Sequence, residues 1–140
     1  MGVEKMKGFY NIVLHIDLTR RSFEEESIDD RVYRELLGGK GLGTHLLLKN
    51  TKAGVDPLSA DNVIIFATGP VTDTKVHGSC RFGAFTKSPL TGIYSESYAG
   101  GKVAEPLSRT GYDAVIIKGA SEKPVYLEIS NKKVIFHDAS

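Results

Sequence analysis

The hydrophobic pattern of this chain changes period every few residues, which confines it to short elements joined by tight turns. Between Phe9 and Leu18 the period is two, with Ile12, Leu14 and Ile16 on one side and Val13 and His15 on the other. Ser22–Ser27 is a weaker, acidic alternating run that pairs with it as a hairpin. Val63–Thr68 and Ala114–Ile117 are apolar and rich in β-branched residues, as buried strands are. Cys80–Thr86 alternates again, placing Phe82, Ala84 and Thr86 opposite Arg81, Gly83 and Phe85. Ile93–Ser97 extends as a strand, and Val125–Ile129 with Lys133–Phe136 form a terminal hairpin around Ser130-Asn131-Lys132. Helical spacing is brief: from Asp29 or Asp30 as a cap to Leu37, from Leu42 to about Asn50, and a short stretch ending near Arg109. The prediction is an α+β fold of mixed, largely antiparallel β-sheets with short helices, occupying residues 1–140 as a single domain. The hairpins weigh against a doubly wound α/β sheet.

Composition narrows the function classes. Lys and Arg total 18 against 17 Asp and Glu, so the chain lacks the basic excess of a nucleic-acid or membrane binder. No apolar run reaches the roughly 18 residues that span a bilayer, and the first residues lack the apolar core of a signal peptide. One cysteine, Cys80, excludes an internal disulfide and an iron–sulfur cluster held by this chain alone. The expected compartment is the cytoplasm.

Glycine, at 15 residues, is the one enriched type, and it is clustered. Gly38-Gly39-Lys40-Gly41-Leu42-Gly43 follows a helix rather than a strand, so it departs from a dinucleotide fingerprint, and it lacks the Gly-Lys-Ser/Thr of a phosphate loop. The local pattern favours a helix stop and restart. The functional alternative is a backbone anion site at a helix N-terminus. The second cluster, Ala99-Gly100-Gly101, also precedes a helix, with Arg81 in a nearby strand and Lys87 opening the loop between them. A cation beside exposed N–H groups is a recipe for holding a phosphate; the competing reading is a tight turn and a solvated arginine.

The other polar residues are weaker candidates. His15, His45, His77 and His137 are dispersed and have no metal-pair spacing. Cys80 next to Arg81 could carry a lowered thiol pKa, but a small buried strand residue is the simpler reading. Glu24-Glu25-Glu26 suits a charged edge strand.

The order of segments is more specific than any one motif. Asn11–Thr19 is followed by Leu37-Gly38-Gly39-Lys40-Gly41-Leu42-Gly43, Val55-Asp56-Pro57-Leu58-Ser59, Ile64–Thr72 and Arg81-Phe82. Then come Thr86-Lys87-Ser88-Pro89-Leu90-Thr91-Gly92, Gly111–Ile117 and Lys123–Leu127. This series resembles the start of the aldehyde ferredoxin oxidoreductase family from about residue 8 to 139, and Thr-Lys-Ser-Pro-Leu-Thr-Gly is its most specific element.

The resemblance implies a tungsten or molybdenum enzyme, often of anaerobes, that oxidises aldehydes to carboxylic acids and passes electrons to ferredoxin. In that family the metal is held by two pterins beside a [4Fe–4S] cluster, and the N-terminal domain is the base on which the pterins lie. The family's arginine between pterin and cluster maps to Arg81. A glycine at the pterin phosphates maps to Gly100, with Gly101 beside it. The backbone carbonyl that helps hold a bridging magnesium maps to Tyr98, where the family usually has Asn. The cluster cysteines and the acid–base residues lie beyond residue 140 in the family, so the chain is expected to be an incomplete pterin-binding domain, inactive by itself. Two other readings remain. A non-catalytic assembly module would self-associate as a homo-oligomer through exposed apolar surface and sheet edges. A nucleotide-binding domain using Gly38–Gly43 would need a preceding strand.

Overall fold

A computed structural model describes residues 6–140. The chain opens with β1 (Ile12–Asp17) and β2 (Ser22–Ser27), then α1 (Asp30–Leu36) and α2 (Gly39–Asn50). β3 (Val63–Thr68), β4 (Phe82–Lys87) and β5 (Tyr94–Ala99) follow, then α3 (Ala104–Arg109) and β6 (Ala114–Lys118). β7 (Val125–Ser130) and β8 (Lys133–Asp138) close the described chain. Six strands form one sheet in the order β2-β1-β6-β3-β4-β5, and β7 and β8 pair separately. Every pairing is antiparallel except β1 with β6. The fold is the mixed, largely antiparallel α+β arrangement expected from the alternating runs.

Both faces of the large sheet are covered, by different elements. On one, Val13, Ile65, Ala67, Phe85, Ala114 and Ile116 pack under Tyr33 of α1 and Leu42, Leu46 and Leu47 of α2. On the other, Leu14, Ile16 and Val115 meet Val134, Leu127, Ile129 and Phe136 of the β7–β8 hairpin, with Leu107 of α3 alongside. Each such fully buried side chain stabilises the fold by about 1.5–3 kcal/mol. Asp29 caps α1 by accepting a hydrogen bond from Arg31 N–H at 2.7 Å.

A buried carboxylate joins the first core. Asp113, 5% exposed, accepts from Tyr33 Oη at 2.6 Å, Asn11 N–H at 2.8 Å and Tyr10 N–H at 3.0 Å. Its own carbonyl accepts from Thr68 N–H. Three donors compensate the loss of water around the charge, which unpaired would be costly. Burial first, then the hydrogen bond to Asp113, pushes the Tyr33 phenol well up.

The glycine run from Gly38 to Gly43 restarts the helix, as the local pattern indicated, and most of it serves packing. Leu37 adopts φ 58°, ending α1, and Gly38 is the N-cap of α2. A Cβ on Gly38 would lie 2.9 Å from Thr68 O, and one on Gly41 would lie 2.0 Å from Leu36 O. A Cβ on Gly43 would lie 2.3 Å from the Phe85 ring, and one on Gly83 would lie 2.5 Å from the same ring. Phe85 is therefore held between α2 and its own strand by two missing side chains. α2 begins three residues earlier than the apolar spacing suggested, because leucines are absent from its first turn.

The acidic run does occupy an edge strand, β2. Glu26 accepts from His15 Nε2 at 2.7 Å and from Lys49 Nζ of α2, tying the edge to the helix layer. Burial works to raise its pKa, but the hydrogen bonds from Lys49 and His15 outweigh burial and hold the carboxyl below its ordinary 4.5. A carboxylate with a depressed folded pKa contributes stability above its unfolded value and loses it as pH falls through the folded value. Glu26→Gln therefore flattens the fall of Tm below pH 4.5, measured by thermal melts from neutral pH into that acid range. Gly43→Ala forces the Phe85 ring or α2 to shift and costs about 1–3 kcal/mol in denaturant unfolding.

Candidate functional site

The antiparallel pairing of β4 with β5 places the sequence-predicted residues at one end of the sheet. Phe82 opposes Ala99, so Arg81, just before β4, lies level with Gly100, just after β5. A Cβ on Gly100 would meet Arg81 Cγ at 4.0 Å and Cys80 O at 3.9 Å. Gly101 has φ +97°, and a Cβ there would meet nothing within 4 Å, so the backbone after β5 is open to a ligand. Tyr98 opposes Gly83, and its ring meets Phe85 edge-on at 6.0 Å and 82°. Arg81 and Tyr98 line one cleft of about 210 Å³ with Gly39, Gly69, Val71 and Ser79. Its walls are the start of α2, the end of β3, the loop before β4, and β5.

The structure brings together more than the sequence did, and corrects some placements. Gly39, φ +55° and without steric neighbours, turns the glycine run toward this cleft, so the run both restarts a helix and contributes a wall. Gly69 was missed; its signal was the Gly-Pro that ends β3. Gly100 and Gly101 do not sit at a helix N-terminus, because α3 starts only at Ala104 and its N-cap, Val103, has no side-chain hydrogen bond. Their N–H groups belong to the end of a strand and a bend. Arg81 precedes its strand rather than lying in it. Lys87 ends β4, about 20 Å from Arg81 at strand rise, and donates to Val55 O. Cys80 is half-buried in the loop, neither a strand residue nor a core one.

The motif that best marks the family is structural. Thr86 Oγ1 donates to Val63 O at 2.7 Å, and Ser88 Oγ accepts from Leu90 and Thr91 N–H. Gly92, φ +70°, closes the β4–β5 turn. These contacts fix the hairpin end remote from the cleft.

Two polar clusters border the cleft. Glu96, on the same face of β5 as Tyr94 and Tyr98, accepts from Lys40 Nζ at 2.8 Å, Tyr94 Oη at 2.7 Å and Tyr98 Oη at 3.1 Å. The bond from Lys40 holds the Glu96 carboxyl below its ordinary range, with Tyr94 assisting. Burial, then the bond to Glu96, pushes the Tyr98 phenol up. On the other side, Arg109 of α3 grips Asp73 with Nε at 2.9 Å and a second guanidinium nitrogen at 2.6 Å. Asp73 has φ 62°, so this bidentate pair pins a left-handed residue in the loop that leads to Arg81. Among the described residues no three His, Cys, Asp or Glu side chains gather as a metal site, and no helix is long and apolar enough to cross a membrane.

A mixed sheet with α1 and α2 on one face and the β7–β8 hairpin with α3 on the other, ending in a glycine-lined cleft with one arginine, defines a fold of α+β class. Residues 13–140 match the family described as "Aldehyde ferredoxin oxidoreductase, N-terminal domain", and the chain belongs to that family. The tungsten-containing aldehyde ferredoxin oxidoreductase of Pyrococcus abyssi is 39% identical over 135 residues, 96% of this chain and 22% of the relative. A relative from Pyrococcus furiosus, named aliphatic sulfonate oxidoreductase, WOR-like subunit, is 33% identical over 138 residues, 96% of this chain and again 22% of the relative. Among solved structures, the active site complex BamBC of benzoyl coenzyme A reductase, in complex with 1,5-dienoyl-CoA, matches with a TM-score of 0.91. That match is 37% identical and covers 95% of this chain and 20% of the other. The chain thus spans about a fifth of the length of the proteins it matches.

Arg81 is exposed and makes no ion pair among the described contacts. Arg81→Ala is expected to change unfolding free energy by no more than about 0.5 kcal/mol in denaturant titration, as for an exposed residue on which the fold does not depend.

Proposed function

We propose that this chain is the N-terminal portion of a tungsten- or molybdenum-pterin oxidoreductase that oxidises aldehydes to carboxylic acids with ferredoxin as electron acceptor. Its part is to form the base of the cofactor site. The observation that carries the reading is the convergence of Arg81, Gly100 and the open cleft at one end of β4 and β5. The residues fit an anionic cofactor. Gly39, Gly78 and Gly101 leave space where any Cβ would protrude, and the exposed guanidinium of Arg81 supplies the countercharge. When bound, a bis-pterin metal centre supplies the two-electron chemistry, and a [4Fe–4S] cluster with ligands outside this chain would carry the electrons onward.

The residues of the chain bind and orient. Arg81 is a fixed cation whose charge favours a phosphate or a reduced, more negative group near it. The N–H groups of Gly100 and Gly101 are donors that a phosphate oxygen can approach closely. The Tyr98 carbonyl belongs to β5 and is the proposed contact to a magnesium ion between phosphates, a role that uses the backbone and tolerates the tyrosine side chain. None of these groups moves a proton or a hydride, so the isolated chain oxidises no aldehyde.

A second reading, self-association, is favoured by the unpaired edge of β5 and by Leu48, Leu90 and Ile93, which are 74%, 94% and 67% exposed. Light scattering separates a homo-oligomer from a monomer. The main reading is tested by titrating inorganic pyrophosphate into isotope-labelled protein. The Arg81 Nε–H and the Gly100 and Gly101 amide resonances are expected to shift saturably, and Arg81→Ala to abolish the response. Shifts confined to other regions would contradict the reading.

A further inference from the structure

Glu96, half-buried on β5, accepts from three side-chain donors. One oxygen takes the Lys40 ammonium at 2.8 Å, and the other takes two phenols, Tyr94 at 2.7 Å and Tyr98 at 3.1 Å. The three β5 residues lie at alternate positions, so their side chains share the face toward α2. Tyr94 is also bonded to Thr44 of α2 at 2.9 Å. The Tyr98 ring is therefore fixed at both ends, by its edge contact with Phe85 and by its hydroxyl on Glu96. Neither tyrosine is buried, so the carboxylate rather than a surrounding core determines where the rings point.

We propose that Glu96 is a positioning residue: it draws Tyr98 against the start of α2 and so sets the shape of the cleft that Arg81 lines. This rests on the cleft being the anion-receiving site. Tyr98 and Gly39 both line that cleft, and Glu96 links the strand of one to the helix of the other through Lys40. Without an acceptor at residue 96, the Tyr98 ring is held by Phe85 alone and swings across the cleft. The displaced phenol then occupies cleft volume that an anion beside Arg81 would fill.

Charge makes the test discriminating. Removing a carboxylate from the neighbourhood of an anion site tightens binding of pyrophosphate by Coulomb's law alone, about twofold at a separation of about 10 Å in water with salt at about 0.1 M. Positioning demands the opposite when the acceptor is lost. The experiment is a pyrophosphate titration of the 140-residue protein and its variants, read at the Arg81 Nε–H and at the Tyr98 ring resonances. Glu96→Gln keeps an acceptor for Tyr98 and loses the charge; it should leave the Tyr98 signal in place and bind pyrophosphate as tightly as the parent or about twofold tighter. Glu96→Ala should move the Tyr98 signal and bind about three- to tenfold more weakly. Tyr98→Phe keeps the ring, loses the bond, and should weaken binding like Glu96→Ala. Equal affinities for the Gln and Ala variants, or an unmoved Tyr98 signal in Glu96→Ala, would overturn the positioning role while leaving the cleft assignment intact. An absent Arg81 response in the parent protein would overturn the cleft assignment itself.

Discussion

The Phe85 ring lies between α2 and the sheet only because residues 43 and 83 have no side chains. This one contact sets the distance between the helix layer and the strands. α2 lies across β3 and β4 at the height the ring allows, and its first turn then reaches the end of β3, where Gly38 meets Thr68 and Gly69. The same ring offers its edge to Tyr98. Packing in the core thus reaches the cleft through one aromatic residue. Interiors are dense enough that such a contact behaves as a fixed spacer.

The cleft assembles from chain ends rather than from one motif. The start of α2, the end of β3 with the loop after it, the residue before β4 and β5 itself are separated in sequence and meet because the strands are antiparallel. Asp73 and Arg109 hold the loop that leads to Arg81 against α3, and Lys40 and Glu96 hold β5 against α2. Exposed ion pairs contribute little to stability individually. Their value in this fold is geometric: Lys40–Glu96 joins two walls of the cleft, and Asp73–Arg109 anchors the loop that forms a third to α3. Asp113 does the equivalent work in the core, joining the N-terminal segment and α1 through its carboxylate and β3 through its main-chain carbonyl.

Much of this was legible in the residues. Alternation located β1, β4 and the terminal hairpin, and the apolar β-branched runs located β3 and β6, because those strands are buried on one or both faces. The Asp29 cap was visible as a residue type followed by helical spacing. The parallel pairing of β1 with β6 was not legible, since nothing in either run specifies a partner a hundred residues away. The packing role of Gly38, Gly41 and Gly43 was hidden for the same reason: a glycine shows what it lacks only beside the Phe85 or Leu36 that fills the space. The helix after Gly101 begins later than expected because the chain first bends through residues 101–103. Arg81 and Gly100 were found from residue type and family resemblance, and their adjacency follows from the β4–β5 register. Gly39 lay in the glycine run already singled out, whereas Gly69 and Glu96 were not legible, because a wall and a positioning residue carry no motif.

The central claim is that this chain supplies a cofactor-holding wall to a larger enzyme. The most direct measurement is complementation: the chain is co-expressed with a Pyrococcus relative whose own N-terminal domain has been removed, and the purified complex is analysed for tungsten. Near-stoichiometric tungsten in the complex, lost when Arg81→Ala replaces the parent chain, is the expected result. A stable complex that holds no tungsten, or holds it equally well with Arg81→Ala, would contradict the account.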